Sequence, residues 1–397
     1  MELLISLPFV EQSANKKFFK EMRMRNFLKS CLLVFLFQLV FNGLTSAQLV
    51  SLPRGGNKRA TVSEEIGITN VMIQYSRPGV KKRDGHIWGE LIPTGYSQLG
   101  YGAKNPTPWR AGANENTTIE FTTDVKVDGH DLPAGKYGFF VAYGAEECTL
   151  IFSKNSTSWG NFFYDSTEDA LRVKVKPVKT DRSVEWLKYE FADQTPDAAT
   201  IQLQWEKLVI PFTIKVDVIK TQLASFRKEL RGDKSLPGFW QPWYQAAAYC
   251  LANNTNLEQA LLWADSATSV TFGGTRNFEP WQTKSAILDS LGRKAEAATA
   301  MKEALLYVDP FQGYVYGLSL VTAKRPKEAL DVFKMIYEKY PTSLFTNVGM
   351  ASGYSALGDY KTALTFALKA LPLAKGGNKL EIERNIKDLQ NGKDMNN

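Results

Sequence analysis

Residues 285–310 read SAILDSLGRKAEAATAMKEALLYVDP, and residues 317–341 read GLSLVTAKRPKEALDVFKMIYEKYP. Each stretch begins with a small residue, has an alanine twelve positions later, and has a small or aliphatic residue seven positions after that alanine. The last third of the chain contains four such units, whose central alanines are 37, 32 and 34 residues apart: Ala260, Ala297, Ala329 and Ala363. A period near 34 with small residues at fixed positions predicts stacked pairs of helices, because two helices approach closely only where their side chains are small.

Such an array favours binding over catalysis, because stacked helical pairs present long surfaces to other proteins. The first helix of each pair is expected to line the concave face, where it offers aromatic and amide side chains with little charge. This composition suits an extended protein or peptide segment as the partner. We predict that the partner contacts four of these residues: Tyr244, Gln282, Tyr314 and Asn347. The alternative is that the repeats only pack on the rest of the protein and that the groove is filled.

The N-terminal residues have the pattern of an export signal. Arg25 and Lys29 precede an apolar run, Cys31–Phe41, and small residues follow up to Ala47. This order predicts a secretory signal peptide that is cleaved after Ala47. The apolar run is shorter than the roughly 20 residues that span a bilayer. We therefore expect an exported protein, periplasmic or extracellular, with no transmembrane span in the mature chain.

The signal peptide is assigned to residues 1–47, of which residues 1–23 are a doubtful addition. They are polar and basic, and translation is expected to begin at Met22 or Met24.

Removing residues 1–47 lowers the number of Lys and Arg from 48 to 42 and the number of Asp and Glu from 41 to 38. The mature chain is thus mildly basic and has no basic stripe with interleaved aromatics, so no nucleic-acid partner is expected. Its two cysteines, Cys148 and Cys250, predict no disulfide framework.

A different pattern occupies residues 60–218. Thr118-Ile119-Glu120-Phe121 alternates polar and apolar residues, as a half-buried strand does, and nine strands are expected, among them Thr117–Val127. Short strands between turn residues predict a sandwich or barrel. Residues 219–240 are assigned to a hinge and residues 241–391 to the helical repeats. The predicted fold class is therefore β + α with two domains, an antiparallel β-sandwich or barrel followed by an all-α solenoid.

Two family resemblances support these assignments. Residues 241–375 resemble a tetratricopeptide-repeat array, through the small residues above and through an apolar residue nine positions before each central alanine. The β region resembles a secreted bacterial family of unknown function (DUF2911). The residues that carry this second resemblance are Tyr75–Val80, Ile87–Pro93, Pro108–Glu115, Leu132–Tyr137 and Trp159-Gly160. The resemblance implies a fold and a compartment, but the family has no assigned activity that could be carried over.

In the loops of the β region, arginines lie beside aromatic residues in the sequence. A guanidinium group binds carboxylate or phosphate, and an aromatic face stacks on flat groups or sugars. These loops therefore form a candidate site for an acidic or glycan ligand. In the alternative, Arg77, Arg110 and Glu115 form an internal polar network and the tryptophans belong to the core. The candidate ligand-binding residues are Tyr75, Arg77, Arg83, Trp88, Trp109, Arg110, Asn114 and Glu115.

The sequence lacks most of the residue patterns that indicate a catalytic site. His86 and His130 lie 44 residues apart and lack the set of three or four ligands at suitable spacing that a zinc site needs, and no Gly-x-Ser-x-Gly motif occurs. We therefore assign no catalytic residue, metal ligand or cofactor. The second hypothesis is a carbohydrate-active or other hydrolase that uses the Arg/Trp/Glu loops. A buried Glu90 or Glu115 in an open cleft beside Arg110 would favour it.

Overall fold

The computed structural model describes residues 56–99, 102 and 104–397. The predicted signal peptide and its cleavage site after Ala47 lie outside these residues. Within the part of the chain that the structure describes, no helix is long and apolar enough to cross a bilayer. An antiparallel β domain is followed by a helical array, which confirms the predicted two-domain fold class.

The β domain is a sandwich of two antiparallel sheets. The strands are β1 (Lys58–Ile66), β2 (Thr69–Arg77), β3 (Thr118–Phe121), β4 (Val125–Val127), β5 (His130–Leu132), β6 (Gly135–Ala142), β7 (Cys148–Ser153), β8 (Asp169–Val175), β9 (Val178–Thr195) and β10 (Ala198–Lys215). The larger sheet has the strand order β1-β2-β3-β6-β7-β8, and the smaller has the order β5-β4-β10-β9. Their inner faces enclose one core, in which the largest fully buried side chains include Trp205, Phe121, Phe139, Phe152 and Phe212.

Two strand assignments from the sequence are corrected. The single strand expected over Thr117–Val127 is two strands, because the chain crosses between sheets there: β3 pairs with β2 and β6, whereas β4 pairs with β10 and β5. Conversely, β10 is one strand where the sequence predicts two, Thr200–Trp205 and Leu208–Val216. A bulge at Glu206, which has a φ of 49°, moves the buried positions from odd to even residue numbers. A bulge of this kind breaks the alternation without ending the strand.

The helical array consists of four antiparallel pairs with one helix before them and one after. All four central alanines lie in the second helix of a pair and are at most 6% exposed, so the predicted packing role of the small residues is confirmed. The helices are α1 (Val218–Glu229), α2 (Gln241–Ala252), α3 (Leu257–Ala267), α4 (Phe278–Ser290), α5 (Lys294–Leu306), α6 (Pro310–Thr322), α7 (Pro326–Lys339), α8 (Leu344–Ala356), α9 (Tyr360–Ala370) and α10 (Gly377–Gln390).

Helix α1 occupies part of the stretch that the sequence assigns to a hinge. Asp217 caps its N-terminus by accepting a hydrogen bond from the Lys220 amide at 2.9 Å. Val218, at its first turn, packs on the core of the sandwich. Phe226, two turns later, makes edge contacts with Tyr249 and Trp263 of the array. The helix therefore touches the hydrophobic cores of both domains.

The last residues of the chain pack on α8, although the sequence suggests a frayed tail. Ser355 donates a hydrogen bond to the Asp394 carboxylate at 2.7 Å and accepts one from the Met395 amide at 3.0 Å. The Asn396 side chain donates to the Ser352 carbonyl at 3.1 Å. These bonds fix the tail because they satisfy polar groups at the buried serines of α8.

Candidate functional site

The first helices of the pairs form a nearly continuous layer, because α2 contacts α4 and α6 contacts α8. The repeat pattern predicts which residues of this layer face outward. They lie six and three positions before the small residue that opens each unit, and they are Pro242, Gln245, Glu279, Gln282, Phe311, Tyr314, Phe345 and Val348. We call this set, together with Glu381 of α10, the concave face.

One end of the concave face carries an aromatic cluster. The ring of Phe345 lies 4.9 Å from Phe311 and 5.9 Å from Tyr314, measured between centroids. Phe311 remains 53% exposed despite these contacts. Burial raises the pKa of the Tyr314 hydroxyl, and the nearby carboxylate of Glu381 raises it further. The negative charge of Glu381, on α10, thus lies near the aromatic cluster.

The middle of the concave face is polar. The Glu279 carboxylate accepts a hydrogen bond from the Gln312 side chain at 2.5 Å. Gln312 is held in place by a capping box with Asp309 at the start of α6. Burial raises the pKa of Tyr244, and Glu279 adds to this effect. A fixed carboxylate therefore lies between the aromatic cluster and α2.

The other end of the concave face has a pocket of about 360 Å³ between α1 and α2. Its walls combine an apolar part with charged groups: Phe226, Leu230, Phe239, Pro242 and Gln245 lie beside Glu229, Asp233 and Lys234. Phe239 is 51% exposed, so an aromatic ring is available to a ligand at this end too. The concave face consequently has apolar contact area at both ends and a carboxylate in the middle.

Three of the four predicted partner residues, Tyr244, Gln282 and Tyr314, are half-buried on the first helices. Asn347 is placed differently: it is 2% exposed, and its amide donates to the carbonyls of Pro341 and Ser343 at 2.9 and 2.8 Å. It therefore holds the start of α8. The prediction follows tyrosines and amides and does not include Phe311 and Phe345, although the repeat spacing itself points to them.

Several candidate residues of the β domain lie in its core or hold its loops. Tyr75 is 6% exposed, and its hydroxyl accepts a hydrogen bond from the Tyr189 amide at 3.2 Å. Arg83 donates to the carbonyls of Val80 and Gly79 at 2.9 and 2.8 Å. These contacts are within the protein and leave little of either side chain for a ligand.

The two candidate tryptophans belong to one aromatic cluster. The Trp88 and Trp109 rings are 5.5 Å apart, and each lies 6.0 Å from Trp205. Their indole nitrogens donate to the carbonyls of Trp205 and Gly112, at 3.4 and 3.0 Å. The rings therefore close one part of the sandwich core and fix the loops that carry them.

Arg110, Asn114 and Glu115 make contacts within the protein at one loop. Arg110 donates to the Asn114 carbonyl at 2.8 Å, and its guanidinium carbon lies 5.1 Å from the Phe162 ring centroid. Asn114 has a φ of 59°, in the left-handed region. The Glu115 carboxylate accepts a hydrogen bond from Ser76 at 3.0 Å. The three residues of the alternative network thus hold separate partners, because Arg77 donates to the Leu187 carbonyl of β9 instead.

Replacing Arg110 separates the two interpretations of these loops. Arg110→Ala removes a charged hydrogen bond and a cation–π contact, so we expect the free energy of unfolding to fall by about 2–3 kcal/mol. The exposed Arg384 serves as the control, and Arg384→Ala should change the free energy of unfolding by less than about 0.5 kcal/mol. Denaturant unfolding measures both variants. An Arg110→Ala protein as stable as the parent would instead favour a ligand contact.

The two carboxylates considered for hydrolysis are not buried. Glu90 is 62% exposed and lies 3.0 Å from the His86 ring, and Glu115 is half-buried.

Burial raises the pKa of the Cys148 and Cys250 thiols, which lowers their thiolate fraction and their reactivity. Within the described part of the chain, no group of three or more His, Cys, Asp or Glu residues could hold a metal ion.

The β domain matches the model of one protein family. Residues 57–214 match the model of a family described as a protein of unknown function (DUF2911), which confirms the resemblance inferred from the sequence. No curated protein matches the chain.

Solved structures with a similar arrangement are tetratricopeptide-repeat proteins. One is YrrB, described as a TPR protein with an unusual peptide-binding site, at 17% identity and a TM-score of 0.27; the match covers 44% of this chain and 89% of that one. Another is a tetratricopeptide repeat protein from Parabacteroides merdae, at 18% identity and a TM-score of 0.30; the match covers 44% of this chain and 70% of that one.

Proposed function

We propose that this is an exported protein that holds an extended segment of a protein partner on its concave face. The observation that carries the proposal is the aromatic cluster of Phe311, Tyr314 and Phe345, which is only partly covered by its own chain. Exposed aromatic residues are typical of the anchoring points of protein interfaces. Export rests on the N-terminal sequence pattern alone.

The distribution of charge and apolar area suggests how a segment would lie. One apolar side chain of the partner would fill the pocket beside Phe239, and another would pack on the aromatic cluster. Glu279 and Glu381 would attract basic groups between and beyond these points, since carboxylates fix register and orientation more than they add affinity. The β domain would then carry the array and leave its concave face open.

Selection of peptides from a random library displayed on phage tests this proposal. We expect the purified parent to select peptides that combine apolar and basic residues, and we expect the double variant Phe311→Ala/Tyr314→Ala to bind them at least about tenfold more weakly, a loss of about 1.4 kcal/mol. The control is Leu262→Ala on the second helix α3, because Leu262 is 61% exposed and lies outside the concave face. It should bind as the parent does.

Two results would contradict the proposal. One is a failure of the folded parent to select any peptide family. The other is equal binding by the double variant, whose helical circular dichroism must match that of the parent. The earlier candidate Asn347 is left out of this test because its removal would disturb the start of α8.

The predicted compartment has its own test. Expression of the full gene in a bacterial host with a periplasm should yield a mature chain that begins at Gln48, because the small residues before it suit signal-peptide cleavage. N-terminal sequencing of the periplasmic and secreted fractions measures this. A protein that stays in the cytoplasm and begins at Met1, Met22 or Met24 would refute the export prediction.

A further inference from the structure

A second groove lies on the β domain, away from the concave face. It has a volume of about 470 Å³ and lies between the end of β2 and the β9–β10 hairpin, within the size range of small-molecule sites. We call it the Arg77 groove. The lining residues that matter for its chemistry are Arg77, Arg182, Glu185, Trp186, Lys188 and Gln204.

Arg77 is held in a fixed position at this groove. It ends β2 two residues after the buried Tyr75, so both residues share the inward face of the strand. Its Nε donates to the Leu187 carbonyl of β9 at 2.9 Å. The two terminal nitrogens of the guanidinium have no hydrogen-bond or ion-pair partner among the described residues. Neither nitrogen is among the buried polar atoms without a partner, so both reach the solvent of the groove and are available to an anion.

Trp186 provides a ring of fixed orientation beside Arg77. The ring rests on the backbone of Gly79, where an added Cβ would lie only 3.1 Å from it. Its indole remains 41% exposed. The neighbouring Glu185 points to the loop after β2, because its carboxylate accepts a hydrogen bond from the Lys81 amide at 3.0 Å.

The charges of the groove favour an anion. Arg77, Arg182 and Lys188 bring three positive charges to its lining, against the single carboxylate of Glu185. Lys188 is paired with Glu190, whereas Arg182 has no ion pair within the described residues. The excess of guanidinium groups matters because they bind carboxylate and phosphate with two parallel hydrogen bonds.

We propose that the Arg77 groove binds a small organic anion. Its carboxylate or phosphate group accepts hydrogen bonds from the terminal nitrogens of Arg77, and its body lies on the exposed part of the Trp186 ring. The amide nitrogen of Gln204 donates to the Gln202 side chain at 2.7 Å, so its oxygen can accept a hydrogen bond from a hydroxyl substituent of the ligand. This site is independent of the peptide segment proposed for the helical array, since none of its lining residues belongs to a helix.

Calorimetric titration of the full mature chain tests the proposal with three probes: D-glucuronate, D-glucose 6-phosphate and D-glucose. The neutral sugar matches the two anions in shape but lacks their charge. We expect at least one anion to bind, and to bind at least about tenfold more tightly than D-glucose. Binding of glucuronate alone assigns a carboxylate ligand, and binding of the sugar phosphate alone assigns a phosphate ligand. Either assignment supports the anion site.

The matched variants are Arg77→Gln and Arg384→Gln. Arg77→Gln should weaken anion binding at least about tenfold, and Arg384→Gln should leave it within about twofold. If Arg77→Gln lowers the melting temperature, anion binding is measured with Trp186→Ala as a second variant. The exposed ring of Trp186 makes a smaller contribution to folding, so this variant should remain folded. The proposal is wrong if neither anion binds, if D-glucose binds as well as the anions, or if Arg77→Gln and Trp186→Ala, folded, both bind as the parent does.

Discussion

Phe333→Ala is expected to lower the free energy of unfolding of the helical array by about 3–5 kcal/mol. Phe333 lies on α7 and is 1% exposed. Three glycines of neighbouring helices surround its ring: an added Cβ would lie 2.2 Å from the ring at Gly317, 2.6 Å at Gly349 and 2.9 Å at Gly353. Because none of these residues has a side chain that could move into the vacated space, the cavity would persist.

Denaturant unfolding followed by helical circular dichroism measures this loss. The control is Glu338→Ala on the same helix, an exposed position at which we expect a change within about 0.5 kcal/mol. A loss below about 1 kcal/mol in Phe333→Ala would show that the surrounding helices close around the site, contrary to the argument from the glycines.

The two sides of this contact can be tested as a pair. Gly317→Ala should destabilise the parent, since the new methyl group would overlap the Phe333 ring. In the Phe333→Ala background the same methyl group has room, so Gly317→Ala should cost much less or restore stability there. Such non-additivity is the mark of two residues in direct contact. Additive losses would mean that Gly317 acts through the flexibility of its own helix.

The repeat spacing in the sequence accounts for most of the helical fold. The sequence marks Gly317 as a small packing residue because it lies twelve positions before Ala329, and that spacing recurs in every unit. The sequence does not mark Gly349 and Gly353 in this way. They contact Phe333 from the next unit, so the glycines and the phenylalanine do not lie in the same repeat. Contacts inside a repeat are visible as periodicity, whereas contacts between repeats depend on how the units stack.

The candidate sites were less accessible to sequence reasoning, for a similar reason. Arg77 and Arg110 lie near each other in the sequence and were assigned to one surface. The structure separates them: Arg77 bonds to Leu187, which is 110 residues away, while Arg110 bonds to Asn114 in its own loop. The position of a side chain at the edge of a sandwich depends on which strands pair, and alternation within a strand does not specify its partner.

Trp205→Ala is expected to lower the free energy of unfolding of the β domain by about 3–5 kcal/mol. Trp205 is 1% exposed and is the largest fully buried side chain of the sandwich. Its ring lies between the loops that carry Trp88 and Trp109, with each centroid 6.0 Å away. Its removal would therefore open the core and release two loop anchors at once, which places this variant among the most damaging in the domain.

Trp205→Phe should cost far less, below about 1.5 kcal/mol. Phenylalanine retains an aromatic ring at the centre of the cluster. It also removes the buried Nε1–H, which has no acceptor among the described residues, and a buried donor without a partner is itself unfavourable. Denaturant unfolding of both variants, followed by near-ultraviolet circular dichroism of the aromatic cluster, separates the two effects. If Trp205→Phe costs as much as Trp205→Ala, the indole nitrogen must make a stabilising hydrogen bond in solution, and the role assigned to the ring alone is wrong.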